Sequence, residues 1–180
     1  QDPFLFTGTL ESNVKLGTER ITRAATESAL REVGLGPWLE SQPQGVETPV
    51  TERGSTLSVG QRQLVSFARA LAHDPKFLIL DEATSSVDTK TELLIREALD
   101  RLLQGRTAVV IAHRLSTIQH AHRILVFHKG KLREQGSHQE LLGLRGIYHR
   151  LYQLQYKEQE LAAPVGGGGS GYPHALPADD

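Results

Sequence analysis

The chain has 180 residues, 38% of them hydrophobic and 23% charged, with a formal net charge of -1 and no cysteine. That composition suits a soluble globular domain with a core. It leaves no basic field to attract nucleic acid or anionic lipid, and it rules out disulfides and thiolate metal sites. No apolar run approaches the roughly 20 residues that span a bilayer, and no signal peptide is legible. Gln1 opens the chain and no Met occurs anywhere, from which we expect that the true N-terminus is missing.

Residues 1–75 hold helical stretches broken by Gly and Pro. A helix is expected over Thr18–Val33, with Gly34 as its stop. The stretch Gly34–Thr56, with Pro37, Pro43 and Pro49, reads as irregular. A second helix is expected from near Ser58 to Ala72, with Leu64, Phe67, Ala68 and Leu71 on one face, ended by Asp74-Pro75. Residues 76–160 alternate strand and helix. Phe77-Leu78-Ile79-Leu80 is a continuous apolar run, as a strand buried on both faces requires. Thr89 and Glu92 form a capping-box pair at the start of a helix to Leu103, with Gly105 beyond its end. Thr107–Ala112 and Arg123–Phe127 are further strands, the latter leading into a Lys129-Gly130 turn and a short strand. Ser137 and Glu140 open a helix to Leu144, and a last amphipathic helix follows Gly146. Strand, helix, strand with short loops argues for a parallel sheet covered by helices. Residues 161–180, with four successive glycines, cannot bury a core and are expected to be disordered. No internal repeat is found.

Three segments carry candidate chemistry. The strand Phe77–Leu80 ends in two adjacent carboxylates. Ligands of open parallel sheets bind beyond the carboxyl ends of the strands, where Asp81 suits Mg²⁺ and Glu82 can polarise a water for attack on a phosphate. In Leu57-Ser58-Val59-Gly60-Gln61 a small turn enters a helix, and its free N–H groups suit an anion. His113 follows the strand Thr107–Ala112 and would lie beside Asp81 and Glu82 if the two strands are neighbours. Each has an ordinary alternative: an acidic turn, a plain helix cap and a surface histidine. His120 and His122 read as surface residues, since no third metal ligand is in view. Trp38 reads as packing into the helical region. Tyr148, Tyr152 and Tyr156 read as a core or seam stripe.

Taken in order, these segments resemble the nucleotide-binding domain of ABC transporters of the multidrug and lipid exporter type, over residues 1 to about 158. Leu57–Gln61 resembles the signature motif, Phe77–Asp81 the Walker B strand, Glu82 the catalytic glutamate and His113 the switch histidine. Ser85-Ser86-Val87-Asp88 resembles the D-loop, Gln1 the glutamine of the Q-loop, and Thr51–Gly54 the X-loop. The resemblance implies an α/β fold, a partial parallel RecA-like P-loop NTPase sheet with an inserted α-helical subdomain. Residues 1–75 would be the helical signature subdomain and 76–160 the C-terminal half of the ATPase core. It implies ATP and Mg²⁺ as ligands, with Gln1 and Asp81 toward the metal, Glu82 and His113 catalytic, and Ser58, Gly60 and Gln61 on the phosphates of ATP held by a second such domain. Asp88 would report across the dimer seam. Glu52 would touch the coupling helices of a transmembrane domain, at the cytoplasmic face of the cell membrane.

Two departures stand out. The phosphate-loop pattern G-x-x-x-x-G-K-[ST] is absent, because Gly130-Lys131 is followed by Leu132 and has no glycine five residues before it. The chain alone is therefore expected not to hydrolyse ATP. Val59 stands where the signature usually has glycine. Lost N-terminal strands would leave apolar faces uncovered, so poor stability or aggregation is expected of this stretch. Two other functions fit parts of the pattern: a soluble ABC ATPase of DNA repair or chromosome maintenance, and a non-catalytic module that completes a partner's ATP site. The near-zero charge and the segment Thr51–Gly54 count against the first.

Overall fold

A computed structural model describes residues 3–81, 89–112 and 118–162, without the side chains of 89 and 155–162. Of the tail expected to be disordered, 161–180, Leu161 and Ala162 instead end the last helix, and the rest, the glycine run included, lies outside the described residues. Two compact units emerge, residues 1–113 and 114–180.

The first unit opens with β1 (Gly8–Thr9) and α1 (Leu10–Lys15). Thr9 caps α1 in a reciprocal pair with Ser12: the Ser12 amide donates to Thr9 Oγ1 and the Thr9 amide to Ser12 Oγ, at 3.0 and 2.8 Å. Sequence pattern missed α1 because the usual reciprocal partner is Glu or Gln. Then α2 (Arg23–Leu30) begins behind the N-cap Thr22, not at Thr18. Ile21 is buried just ahead of that cap, which is why it fits the apolar pattern without being helical. The path does not stop at Gly34. A π-helical turn (Arg31–Leu35) takes Gly34 through φ 88°, and α3 (Gly36–Glu40) follows with Pro37 in its first turn, where its missing N–H costs nothing. Trp38 packs on the core as expected.

Beyond β2 (Pro49–Val50), which pairs antiparallel with β1, α4 (Val59–His73) runs as the sequence predicts and ends at Asp74 in the left-handed region. The parallel pair of β3 (Phe77–Asp81) and β4 (Thr107–Ile111) is joined through α5 (Thr89–Leu103). Leu64, Val65 and Ala68 of α4, Leu78 of β3, and Ala98 and Leu102 of α5 share one buried core.

The two strands are not buried on both faces. Leu78 and Leu80 turn toward the helices, while Phe77, Ile79, Val109 and Ile111 are 53%, 70%, 50% and 52% exposed on the other side. A continuous apolar run predicts two covered faces. Among the described residues the helices cover one, which agrees with the expectation of a bare apolar face.

In the second unit β5 (Ile124–His128) and β6 (Lys131–Gly136) form an antiparallel hairpin. Its two turn residues, Lys129 and Gly130, both have positive φ, as a primed turn demands. Next come α6 (His138–Gly143), capped by Ser137 and Glu140, and α7 (Ile147–Ala162). Val126, Leu141 and Tyr148 make this unit's core. No helix among the described residues is long and apolar enough to cross a membrane.

Candidate functional site

Ser58 sits ahead of α4 with extended backbone and in an exposed position, its Oγ accepting from the Gln61 amide at 3.1 Å. Gln61 returns the bond: its Oε1 accepts from the Ser58 amide at 2.9 Å. The Arg62 amide donates to the Ser58 carbonyl at 3.0 Å. Among the described residues the amides of Val59 and Gly60 have no partner, so the first turn ends in two open donors beside an exposed hydroxyl. With the helix dipole behind them they form an anion-receptive end. Val59, in the first helical position, is half-exposed.

The opposite surface of Gly60 faces inward. A side chain there would overlap the Cγ2 methyl of Thr91 on α5. Sequence reading singled out Gly60 for its backbone and missed Thr91, because nothing local in the sequence links the two positions.

The paired carboxylates are half visible. Asp81 is exposed at the end of β3, opposite Ile111 in the parallel register. An open cleft of about 440 Å³ lies against it, between Pro3, Phe67, Leu78 and Leu80. The condition set for His113, that its strand adjoin that of Asp81, is met. Gln1, Glu82, the segment Ser85–Asp88 and His113 themselves lie outside the described residues.

The segment that follows Gln1 is held by residues that the sequence did not flag. Asn13, fully buried, takes the Phe6 amide on Oδ1 and donates from Nδ2 to the Phe6 carbonyl, both at 2.8 Å. Arg69 of α4 donates from Nε to the Asn13 carbonyl at 2.8 Å and from its Nη atoms to the Phe4 carbonyl at 3.3 Å. Partial burial lowers the pKa of Arg69 from its ordinary value. A signal was available: Arg62 and Arg69 are seven apart, on one side of a helix that is otherwise apolar toward the core. Leu5 is thereby buried, while Phe4 and Phe6 stay 56% and 53% exposed, ring edge to ring face at 5.0 Å.

The segment Thr51–Gly54 packs beside them. Glu52 is exposed, and Gly54, at φ +66°, lies so close to Leu5 that an added Cβ would come within 2.9 Å of Leu5 Cδ1. In the second unit His120 and His122 are exposed, and no cluster of metal-ligating side chains occurs among the described residues. Glu134 instead serves the backbone, accepting from the amides of Ile147 and Tyr148 at 2.6 and 2.9 Å. Those two bonds, that to Tyr148 first, hold its carboxyl below the usual range. Tyr148 is buried, its OH 2.7 Å from His138 Nδ1.

Comparison with known proteins gives one consistent answer. Residues 1–85 match the family model described as ABC transporter. The chain is 57% identical, over 86% of its length and 23% of the relative's, to a probable multidrug resistance ABC transporter ATP-binding/permease protein, YheH, of Bacillus subtilis. It is 45% identical, over 92% of its length, to 28% of an ATP-dependent lipid A-core flippase of Syntrophus aciditrophicus. A solved bacterial Atm1-family ABC exporter with ATP bound superposes at a TM-score of 0.77 with 38% identity, over 93% of this chain and 28% of that one. The chain thus spans about a quarter of the length of the curated relatives it matches. Its parallel pair and helices are part of a RecA-like sheet with an inserted helical subdomain.

Proposed function

The chain is related in sequence and fold to the ATP-binding domains of ABC transporters, and from that premise we propose that it is the signature-bearing part of an exporter's ATP-hydrolysing domain. The observation that carries this reading is the start of α4, where the exposed Ser58 precedes two amides, those of Val59 and Gly60, that have no partner among the described residues. There Ser58, Gly60 and Gln61 receive the γ-phosphate of ATP held by a second such domain, whose own phosphate loop supplies the contacts this sequence lacks. Affinity between the two domains then depends on ATP.

On its own side the chain offers Asp81 to Mg²⁺. The exposed carboxylate beside an open cleft suits a hard cation, which supplies charge neutralisation along the phosphates. Glu82 acts as the base that takes a proton from the attacking water, with Gln1 orienting that water and His113 bonding a γ-phosphate oxygen. Support for Glu82 is its position directly after Asp81. For His113 it is the parallel register, which sets Ile111 against Asp81. Hydrolysis is direct attack of water in line with the leaving group, accelerated by positioning and electrostatics, with no covalent protein intermediate. Asp88 reports across the seam. Glu52, with the exposed Phe4–Phe6 pair nearby, offers a surface to the coupling helices of a transmembrane domain, which places the chain at the cytoplasmic face of a membrane. The whole protein uses the cycle to power export.

The test mixes the 180-residue chain with an intact ABC ATP-binding domain that has its own phosphate loop. We expect association that requires ATP and Mg²⁺, and no hydrolysis by the chain alone. Two components that stay apart at saturating ATP refute the reading. Joined to a phosphate-loop half, Glu82→Gln should lower hydrolysis by roughly 100-fold or more while leaving association intact. Normal turnover in that variant removes Glu82 from the role.

A further inference from the structure

Gly60 is subject to a constraint that phosphate binding does not explain. It is buried in the first turn of α4. A Cβ at this position would overlap the Thr91 methyl, lie 3.5 Å from Thr91 Cβ and reach Ile95 Cδ1 at 3.8 Å. The methyl of one helix therefore occupies the notch left by the missing side chain of another. Thr91 stands in the first turn of α5, three positions after Asp88, and Gly60 carries one of the two open amides.

We propose that Thr91 is a positioning residue for the phosphate-binding turn. Its methyl, seated against Gly60, fixes how the first turn of α4 lies on α5, and so fixes where the amides of Val59 and Gly60 point. Hydrogen bonds weaken steeply when donors swing off line, so a turn that slides on its neighbour loses its grip on an anion. The inference rests on reading this turn as half of a nucleotide site. It adds that glycine is required at 60 by a helix of the same chain rather than by the approach of the ligand. The two accounts differ in one respect: if the neighbouring helix sets the requirement, a side chain at 60 is tolerated once Thr91 is cut back.

A double-mutant cycle in the full chain decides between them. The variants are Gly60→Ala, Thr91→Ala, both together, and Thr91→Val, which retains a methyl at the contact. Alanine is the better helix former, so faster exchange in Gly60→Ala comes from the overlap and not from helix propensity. The first readout is amide hydrogen exchange at Gln61 and Arg62, whose bonds to Ser58 report a closed turn. The second is ATP-dependent association with the intact domain described above.

We expect Gly60→Ala to speed exchange and weaken association by roughly tenfold each, as overpacking a closed contact does. The double variant should return both to within about threefold of wild type, since volume is again matched. Thr91→Ala alone should speed exchange, and Thr91→Val, which keeps the methyl, should speed it less. A double variant as impaired in exchange as Gly60→Ala overturns the proposal, and so does one that recovers exchange without association. If Gly60→Ala does not fold, recovery of folded chain in the double variant is the expected result, and its failure overturns the idea. A wild-type chain that never associates refutes the nucleotide reading instead, while the exchange cycle still decides whether Thr91 holds the turn.

Discussion

At the start of α7 the carboxylate of Glu134 takes the amides of Ile147 and Tyr148. At the start of α4 Ser58 takes the amides of Gln61 and Arg62, while those of Val59 and Gly60 have no partner among the described residues. Both ends carry the same surplus of N–H groups and the same dipole. One is closed by an acid from a neighbouring strand, and its role is to hold a hairpin against a helix. The other is capped by Ser58 and Gln61 alone, and two of its amides have no partner among the described residues. A helix N-terminus becomes informative about function through what its own fold withholds from it.

The sharpest way to break the contrast is to give α4 an acid of its own. Ser58→Asp should keep or raise the thermal midpoint, because Asp is as good a cap as Ser and sits well at the positive end. It should weaken ATP-dependent association by about 100-fold, since a carboxylate then competes with the phosphate and repels it. Unchanged association would mean that no anion comes to this turn. Next in size is Arg69→Met, which keeps the packing stem and removes the donors that hold Phe4 and Asn13. Equilibrium unfolding in urea should register a loss of about 2 kcal/mol, the scale of charged hydrogen bonds to buried carbonyls. Proteolysis should become faster in the Phe4–Phe6 segment first.

Smallest is Glu134→Gln, expected to cost about 1 kcal/mol at neutral pH through a weakened cap. The sign with pH is fixed. Because the folded carboxyl is held below its ordinary value of 4.5, its contribution is complete above that pH and disappears as pH falls through the lowered folded value. The variant and wild type should therefore converge in strong acid, and a gap that persists there would assign the effect to packing.

What the sequence reveals follows from the range of each interaction. The cap of α6 was legible because Ser137 and Glu140 are three residues apart and of the expected types, and Ser58 was legible as a cap of α4 by its type, though not its pairing with Gln61. The strand carrying Asp81 was legible from its apolar run. The cap of α1 uses the same geometry with Ser12 in place of a longer acceptor, and pattern alone passed over it. Thr91 was invisible for a different reason, and Arg69 showed only in its spacing from Arg62. Both act on residues distant in sequence, Arg69 reaching Phe4 across 65 positions, and no local composition names those partners. For the bare face of β3 and β4 the apolar run reported a need for burial on both sides, and not which segment meets it.

One consequence concerns α4 as a whole. It runs unbroken from Val59 to His73, with the open amides at its first turn and Arg69 further along. Eleven residues separate Ser58 from Arg69, so at about 1.5 Å per residue the helix is a ruler of roughly 16 Å between them. No proline interrupts that length. A tilt imposed at Ser58 would therefore be delivered at the carbonyl of Phe4, because the rod between them has no joint at which to absorb it.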